Sequence, residues 1–383
     1  MANSVRVAVI GLGQRGLQHL KALWRLQGEG LVEVVALGDA TSENLKEAKL
    51  GQYVQDISLQ NTETFTEFDR LYSTTEPDAI YFCIPPGFHS GELVGAAQKG
   101  THIFAEKPMS LFLDEAIEMD SAIREAGVIS TAGFQKRYEP QSKVAHDFLA
   151  DKRMVMVSMI ADGFLESHSV KHTQTKELGG PADRVWTKNR AWSGSTVVEA
   201  GIHQTDLMRY WCGDIEWVQA AYVPRDDGDI EDGGDNPYAY SVTYGFKGGG
   251  IGILMISKLR KVYRNDGYQN ILWDHGHLKF EGKDVVAYYF EGEYPPSKRP
   301  GEKETRHVIP VGEKQDSTEA IARAFVGAVA AGSDSGLQST FGSSMNSLAA
   351  VLAANVSHER EGERVDLEAF ATSVVYSSYR AKP

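Results

Sequence analysis

The chain reads as an α/β protein in which a doubly wound parallel sheet comes first and an α+β domain with a mainly antiparallel sheet follows. Three observations predict this. Short Val- and Ile-rich runs alternate with amphipathic stretches over the first third, a glycine-rich turn joins the first run to the first helix, and strand-like runs then follow one another with few helices between them. At 383 residues the chain exceeds what one core usually spans, so two domains are expected, 1–134 and 135–383.

Val5–Ile10, Val32–Leu37, Ala79–Ile84, His102–Phe104 and Gly127–Ala132 are the expected parallel strands. Leu17–Leu26, Ser90–Gln98 and Leu113–Ala126 carry the helical period between them. After a helix at Pro140–Leu149, strands are predicted at Met154–Ile160, Glu216–Tyr222, Tyr238–Gly245, Gly250–Ser257, Gln269–Trp273 and Gly276–Glu281. Helices close the chain at Ser317–Ala331 and Ser339–Ser357. The acid- and glycine-rich stretch Arg225–Pro237 has neither EF-hand glycine placement nor a twelfth-position Glu, and is expected to be a solvated loop.

Composition bounds the function. With 42% hydrophobic and 24% charged residues, and no apolar run near the ~20 residues of a membrane helix, a soluble protein is expected. A net charge of -13 argues against a nucleic-acid partner, whose phosphates require Lys and Arg. Cys83 and Cys212 each sit in an apolar segment, and no secretory leader pattern precedes Val5, so a reducing, cytoplasmic setting is expected. His168 with His172 and His275 with His277 imitate metal spacing, but nothing completes a tetrahedral set and no metal is expected.

Gly11-Leu12-Gly13-Gln14-Arg15-Gly16 lies between a Val/Ile strand and an amphipathic helix, the context in which this glycine pattern cradles a pyrophosphate. Asp39, at the end of the second strand, is placed to accept bonds from a ribose diol. It is also placed to cap the following stretch as a helix N-cap, and the two roles are compatible. No Arg or Lys follows it at once, which favours NAD over NADP. Glu106-Lys107-Pro108 stands at the carboxyl end of a strand, where a lysine can donate to a substrate oxygen or help move a proton; a surface turn with an ordinary ion pair is the plainer alternative. Glu199, His203 and Asp206 share the i, i+4, i+7 face of a helix, which allows a carboxylate to orient a histidine acting as base, or simply a hydrogen-bonded core histidine. Trp186, Trp192, Tyr288 and Tyr289 are candidate pocket aromatics, or sheet surface.

Taken with Cys83-Ile84-Pro85-Pro86-Gly87-Phe88-His89 and Gly133-Phe134-Gln135-Lys136-Arg137-Tyr138-Glu139-Pro140, these segments resemble, in order and spacing, the glucose-fructose oxidoreductase and inositol dehydrogenase family (Gfo/Idh/MocA). The resemblance implies a Rossmann domain followed by a domain whose large open sheet builds a homodimer or homotetramer. It implies a nicotinamide cofactor and oxidation of a secondary alcohol on a sugar, glycoside or cyclitol. By resemblance, Lys107 is the active-site lysine and His203 the proton-transferring residue. Pro85, His89, Glu106 and Gln135 to Arg137 resemble the family's cofactor-side loops. Ile84 and Lys107 are expected at the cofactor with them, and Lys107, Arg137, Trp186, Glu199, His203 and Asp206 are expected on the substrate side. Glu199 departs from the family, which carries Asp four residues before this histidine, and Trp192-Ser193-Gly194-Ser195-Thr196 replaces a more glycine-rich stretch.

Hydride transfer to NAD, with Lys107 and His203 handling the proton and Glu199 or Asp206 assisting, is the expected reaction. One alternative is glycoside cleavage through a transient keto-sugar with NAD retained. Another is a non-catalytic dinucleotide and metabolite sensor, which would have no use for a lysine–histidine relay.

Overall fold

The computed structural model describes residues 4–164, 187, 189–226, 228, 230, 234–259, 266–291 and 304–382. Six parallel strands form the first sheet: β1 (Val5–Ile10), β2 (Val32–Gly38), β3 (Glu63–Phe65), β4 (Ala79–Phe82), β5 (His102–Ala105) and β6 (Ser130–Ala132), in the order β3-β2-β1-β4-β5-β6. Val7, Ala8, Val9 and Ile10 are all fully buried, because helices cover both faces and leave no polar side to alternate with. The chain reverses direction across the sheet between β1 and β4, and the crevice this opens at the carboxyl ends is the natural ligand position.

Two strands of this sheet depart from the sequence pattern. β3 is three residues long with two of them exposed, so it shows no apolar run. The predicted strand Gly127–Ala132 begins only at Ser130, since Gly127 caps the preceding helix with φ +64°. Helices α1 (Gln14–Gly28), α2 (Phe68–Thr75), α3 (Glu92–Gln98) and α4 (Leu113–Ala126) complete this layer, and α5 (Pro140–Leu149) leads out of it.

Nine strands form the second sheet: β7 (Met154–Phe164), β8 (Ile215–Val223), β9 (Ala239–Phe246), β10 (Ile251–Leu259), β11 (Asp266–Trp273), β12 (Gly276–Glu281), β13 (Asp284–Tyr289), β14 (Thr305–Ile309) and β15 (Val365–Asp366). Their order is β14-β13-β12-β11-β7-β10-β9-β8-β15. Every pairing is antiparallel except β7 with β10. One face packs on α6 (Ile202–Cys212) and α8 (Phe341–Glu359), and α8 also reaches α4 in the first layer. The other face carries exposed Val155, Ile251, Met255 and Tyr268.

Helix α7 (Ser317–Ala331), far along the chain, packs against the first sheet. Phe325 sets its ring edge-on to the stacked pair Tyr81 and Phe104, at 5.5 and 5.7 Å, and Arg323 bonds Glu29 at the end of α1. The stretch around Arg225–Pro237 is not wholly solvated: Arg225 and Asn236 are buried, and Asn236 donates to the Thr187 carbonyl and to Ser193 Oγ. Those two side chains anchor its ends. No helix among the described residues is long and apolar enough to cross a membrane.

Candidate active site

The glycine turn has the shape its sequence predicts. Gly11 adopts φ +87°, and a Cβ there would meet the Cys83 carbonyl oxygen at 2.5 Å; at Gly16 it would meet the Gly11 carbonyl oxygen at 1.8 Å. Gly13, the N-cap of α1, faces open space and has no side-chain cap. The N-terminus of α1 thereby has room for an anion, with the helix dipole behind it. Asp39 ties the glycine turn to the stretch after β2, although the N-cap of the short helical turn that follows is Thr41. Its Oδ2 accepts the Leu12 amide at 2.7 Å, while Oδ1 accepts the Thr41 amide and Asn44 Nδ2 at 2.8 and 3.0 Å.

Arg15 turns away from that open space. Its guanidinium bonds Glu106 Oε1 at 2.9 Å from Nε and also reaches Gln18 and Thr318. Glu106, buried at 5% exposure, further accepts His19 Nε2 at 2.7 Å and the Lys107 amide at 3.1 Å. Burial alone pushes its proton affinity up, but Arg15, His19 and Lys107 together hold its carboxyl well below the usual range. Arg15 and Glu106, expected at the cofactor, thus join the glycine turn to the loop carrying Lys107. His19 is the third member of this cluster, and an isolated helical histidine offers no sequence signal for it.

Lys107 is brought against the start of α6. Its Nζ donates to the Glu199 carbonyl at 2.9 Å and stands 3.6 Å from Glu199 Oε1, with the lysine side chain 9% exposed and the glutamate 21%. Glu199 lies in a π-turn, Val197–Gly201, that precedes α6. That turn follows an unusual backbone at Ser195, φ 150°, whose Oγ bonds Asn355 Oδ1; Asn355 Nδ2 in turn holds the Gly194 carbonyl. π-turns of this kind recur at functional sites. Asn355, in the last third of α8, is a supporting residue that sequence reasoning had no reason to select.

His203 does not share a hydrogen-bonded face with its neighbours. Its Nδ1 is buried without a partner, Glu199 is committed to Lys107, and Asp206 points elsewhere. The π-turn breaks the α-helical spacing on which a common face depended. Burial first, then the charges of Lys107 and Lys136, push its proton affinity well below the ordinary value. A neutral imidazole beside a cationic lysine is the result, an arrangement suited to accepting a proton.

Asp206 is 1% exposed and Arg137 5%. They form a two-pronged ion pair, Nε to Oδ2 at 2.7 Å and Nη2 to Oδ1 at 2.6 Å, with Ser347 Oγ donating to Oδ1 at 2.8 Å and Arg137 Nη1 donating to the Gln338 carbonyl. These two side chains are turned inward on each other. His89, also buried, pairs with Glu92, whose carboxyl burial raises but whose bonds from His89 and Ser90 lower to about 2. Ile84 and Pro85 remain partly exposed at the end of β4. Gln135 Oε1 and Gln204 Oε1 are buried without partners. Trp186, His168 and His172 lie outside the described residues. Among the described residues no group of three or more His, Cys, Asp or Glu could hold a metal; His277 is paired with Glu304 and stacks on Tyr288. Cys83 and Cys212 are unpaired thiols.

The described histidines whose proton affinity is shifted, His19, His102, His203 and His358, are all shifted downward, chiefly by burial. The unfolded chain therefore binds more protons as pH falls below the ordinary value of 6.5, and stability declines from there. Glu106, shifted below 4.5, adds stability above that value which is lost as pH falls through it. Urea midpoints are expected to be level above pH 7 and to fall continuously towards pH 4. A midpoint unchanged between pH 7 and 5 would contradict the neutral, buried histidines.

The described fold and residue order coincide with a known family. Residues 5–134 match the model of the GFO_IDH_MocA oxidoreductase family, NAD-binding Rossmann fold, and residues 157–366 match its C-terminal alpha/beta domain. The chain belongs to this family. Among curated proteins it is 26% identical to myo-inositol 2-dehydrogenase of Thermotoga maritima over 275 residues, 72% of this chain and 74% of that protein. It is 27% identical to scyllo-inositol 2-dehydrogenase (NAD(+)) of Bacillus subtilis over 215 residues, 56% of this chain and 55% of that protein. The match therefore spans about half the length of that second relative. Among solved structures, levoglucosan dehydrogenase in complex with NADH and L-sorbose superposes with a TM-score of 0.76 at 16% identity, covering 95% of this chain and 99% of that one.

Proposed function

We propose that this chain is a cytoplasmic dehydrogenase that oxidises a secondary hydroxyl of a sugar, sugar derivative or cyclitol with NAD. The observation that carries the reading is that Lys107, held by the Glu199 carbonyl and carboxylate, stands within electrostatic reach of His203, whose Nδ1 is buried without a partner and whose proton affinity is lowered. The residues present fit a dinucleotide. Gly13 leaves room at the uncapped N-terminus of α1 for a pyrophosphate, Asp39 is set for the ribose, and no cation follows it at once to favour a 2′-phosphate. When bound, the nicotinamide supplies the hydride acceptor. His203 takes the hydroxyl proton at Nε2, Lys107 Nζ donates to the oxygen as it becomes negative, and Glu199 keeps the ammonium aimed. The developing negative charge offsets the lysine's suppression of imidazole basicity.

Absorbance at 340 nm with NAD or NADP against sugars, cyclitols and glycosides, with parallel detection of released aglycone, tests this. NADH formation on a polyol is expected, faster with NAD. Aglycone without NADH would move the assignment to glycoside cleavage, and binding of cofactor without either product to a sensor.

The glycine turn gives a second expectation. Gly16→Ala should destabilise the first domain by about 1–3 kcal/mol or more through overpacking. Gly13→Ala should leave the thermal midpoint unchanged while weakening NADH binding by about tenfold, ~1.4 kcal/mol. Equal effects of the two changes on stability would remove Gly13 from the cofactor site.

The exposed apolar side chains of the second sheet's outer face, Val155, Ile251, Met255 and Tyr268, support a homodimer or homotetramer formed through that face. Light scattering should show an oligomer that Met255→Glu dissociates. A monomeric wild-type chain would end this reading.

A further inference from the structure

A cavity of about 440 Å³ lies beside the candidate active site, between α5, α6 and the inner face of the second sheet. Its floor is apolar, made of Met159 from β7, Leu207 and Trp211 from α6, and Phe280 from β12, whose ring centre is 5.4 Å from that of Trp211. Scattered over this floor are Lys136, Glu139, Gln204 and Gln269. The lining includes neither Lys107 nor His203, so the reacting ring has its seat elsewhere. The two places adjoin, because Gln204 directly follows His203, the charge of Lys107 acts on Lys136, and that of Lys136 acts on His203.

Gln204 Oε1 is buried in this region without a hydrogen-bond partner. A buried acceptor left unpaired costs about 1–3 kcal/mol, which a ligand hydroxyl would offset. The volume falls within the ~300–1,000 Å³ of sites that enclose a whole small ligand. Its lining also discriminates between occupants. A carboxylate or phosphate attracted by Lys136 or Lys279 would meet Glu139 and Glu281 as well, whereas a neutral polyhydroxylated ring can lay its C–H face on Trp211 and Phe280 and pair its hydroxyls with amides and with charges of either sign.

We propose that this cavity is a second carbohydrate subsite, so that the preferred substrate is a glycoside or oligosaccharide whose second ring occupies it, in place of a free monosaccharide or cyclitol. The proposal rests on the dehydrogenase reading given above. Gly267 of β11 lines the cavity, and a Cβ there would make only ordinary contact, 3.5 Å from the Ile160 carbonyl oxygen. A side chain at this position can fill the space without disturbing Lys107 or His203.

The test compares NADH formation on monosaccharides with that on disaccharides and aryl glycosides containing the same oxidised ring, using wild type, Gly267→Phe and Gln204→Leu. In the wild type the best two-ring substrate should exceed its monosaccharide about tenfold in kcat/KM, the ratio that ~1.4 kcal/mol of subsite binding produces. Gly267→Phe should abolish that advantage while leaving monosaccharide turnover within about twofold, since it touches no transition-state contact. If that variant does not fold, Gln204→Leu, which keeps the side-chain volume, should still lose most of the advantage. Monosaccharides used as well as two-ring substrates by the wild type, or an advantage that survives in every folded variant, would overturn the subsite. No NADH from either class, with NADH binding intact, would instead overturn the dehydrogenase assignment itself.

Discussion

Replacing Lys107 with alanine should lower kcat for the oxidised sugar or cyclitol by about 10²–10³-fold, the usual effect of removing a preorganised donor from a developing oxyanion. The affinity for NAD should change little, because the glycine turn and Asp39 hold their geometry through their own bonds. A second readout separates this role from a structural one. Lys107 is, after burial, the largest influence lowering the proton affinity of His203. Removing its charge should raise that affinity and move the acid limb of the kcat profile to higher pH. A variant that keeps turnover within a few-fold, or loses it with the pH profile unmoved, would take Lys107 out of the proton chemistry.

The largest stability effect is expected at Asp206. Its carboxylate is nearly inaccessible and matched on both oxygens by Arg137, which comes from the turn after β6, while Ser347 and the Gln338 carbonyl complete the network from α8 and the segment before it. Three separate stretches of chain meet at this point between the two layers. Asp206→Ala would leave the Arg137 guanidinium buried without a counter-charge, a loss of about 3–5 kcal/mol. The double change Asp206→Leu with Arg137→Met should recover much of it, since it removes both charges. Urea unfolding measures this directly. A singly substituted protein with wild-type stability and a raised KM would restore to the pair the substrate-side role that sequence position suggests.

Both predictions mark the limits of reading side chains from order alone. Strands β1, β2, β4 and β5, the glycine turn, the Asp39 position, the loop carrying Lys107 and the helix carrying His203 were legible because local chemistry determines them: β-rich apolar runs, obligatory glycine, a carboxylate at a strand end. The roles of Arg15, Glu106, Arg137 and Asp206 were not. Each occupies a position compatible with a ligand, and each is in fact turned on a partner 69 or 91 residues away. Glu199 was legible as a candidate, but its partner was not. The expected Glu199–His203 pairing assumed α-helical spacing, and the π-turn sets the carboxylate against Lys107.

Sequence by itself determined the two kinds of sheet, the place of the dinucleotide-binding turn and the family, because backbone periodicity and glycine geometry act over a few residues and leave their mark there. Tertiary structure decided which polar groups face each other, that α7 returns to the first sheet, and that a cavity opens beside Lys136 and Gln204. Charge pairing and burial depend on distances through space between segments far apart along the chain, and no local pattern of residues encodes those distances.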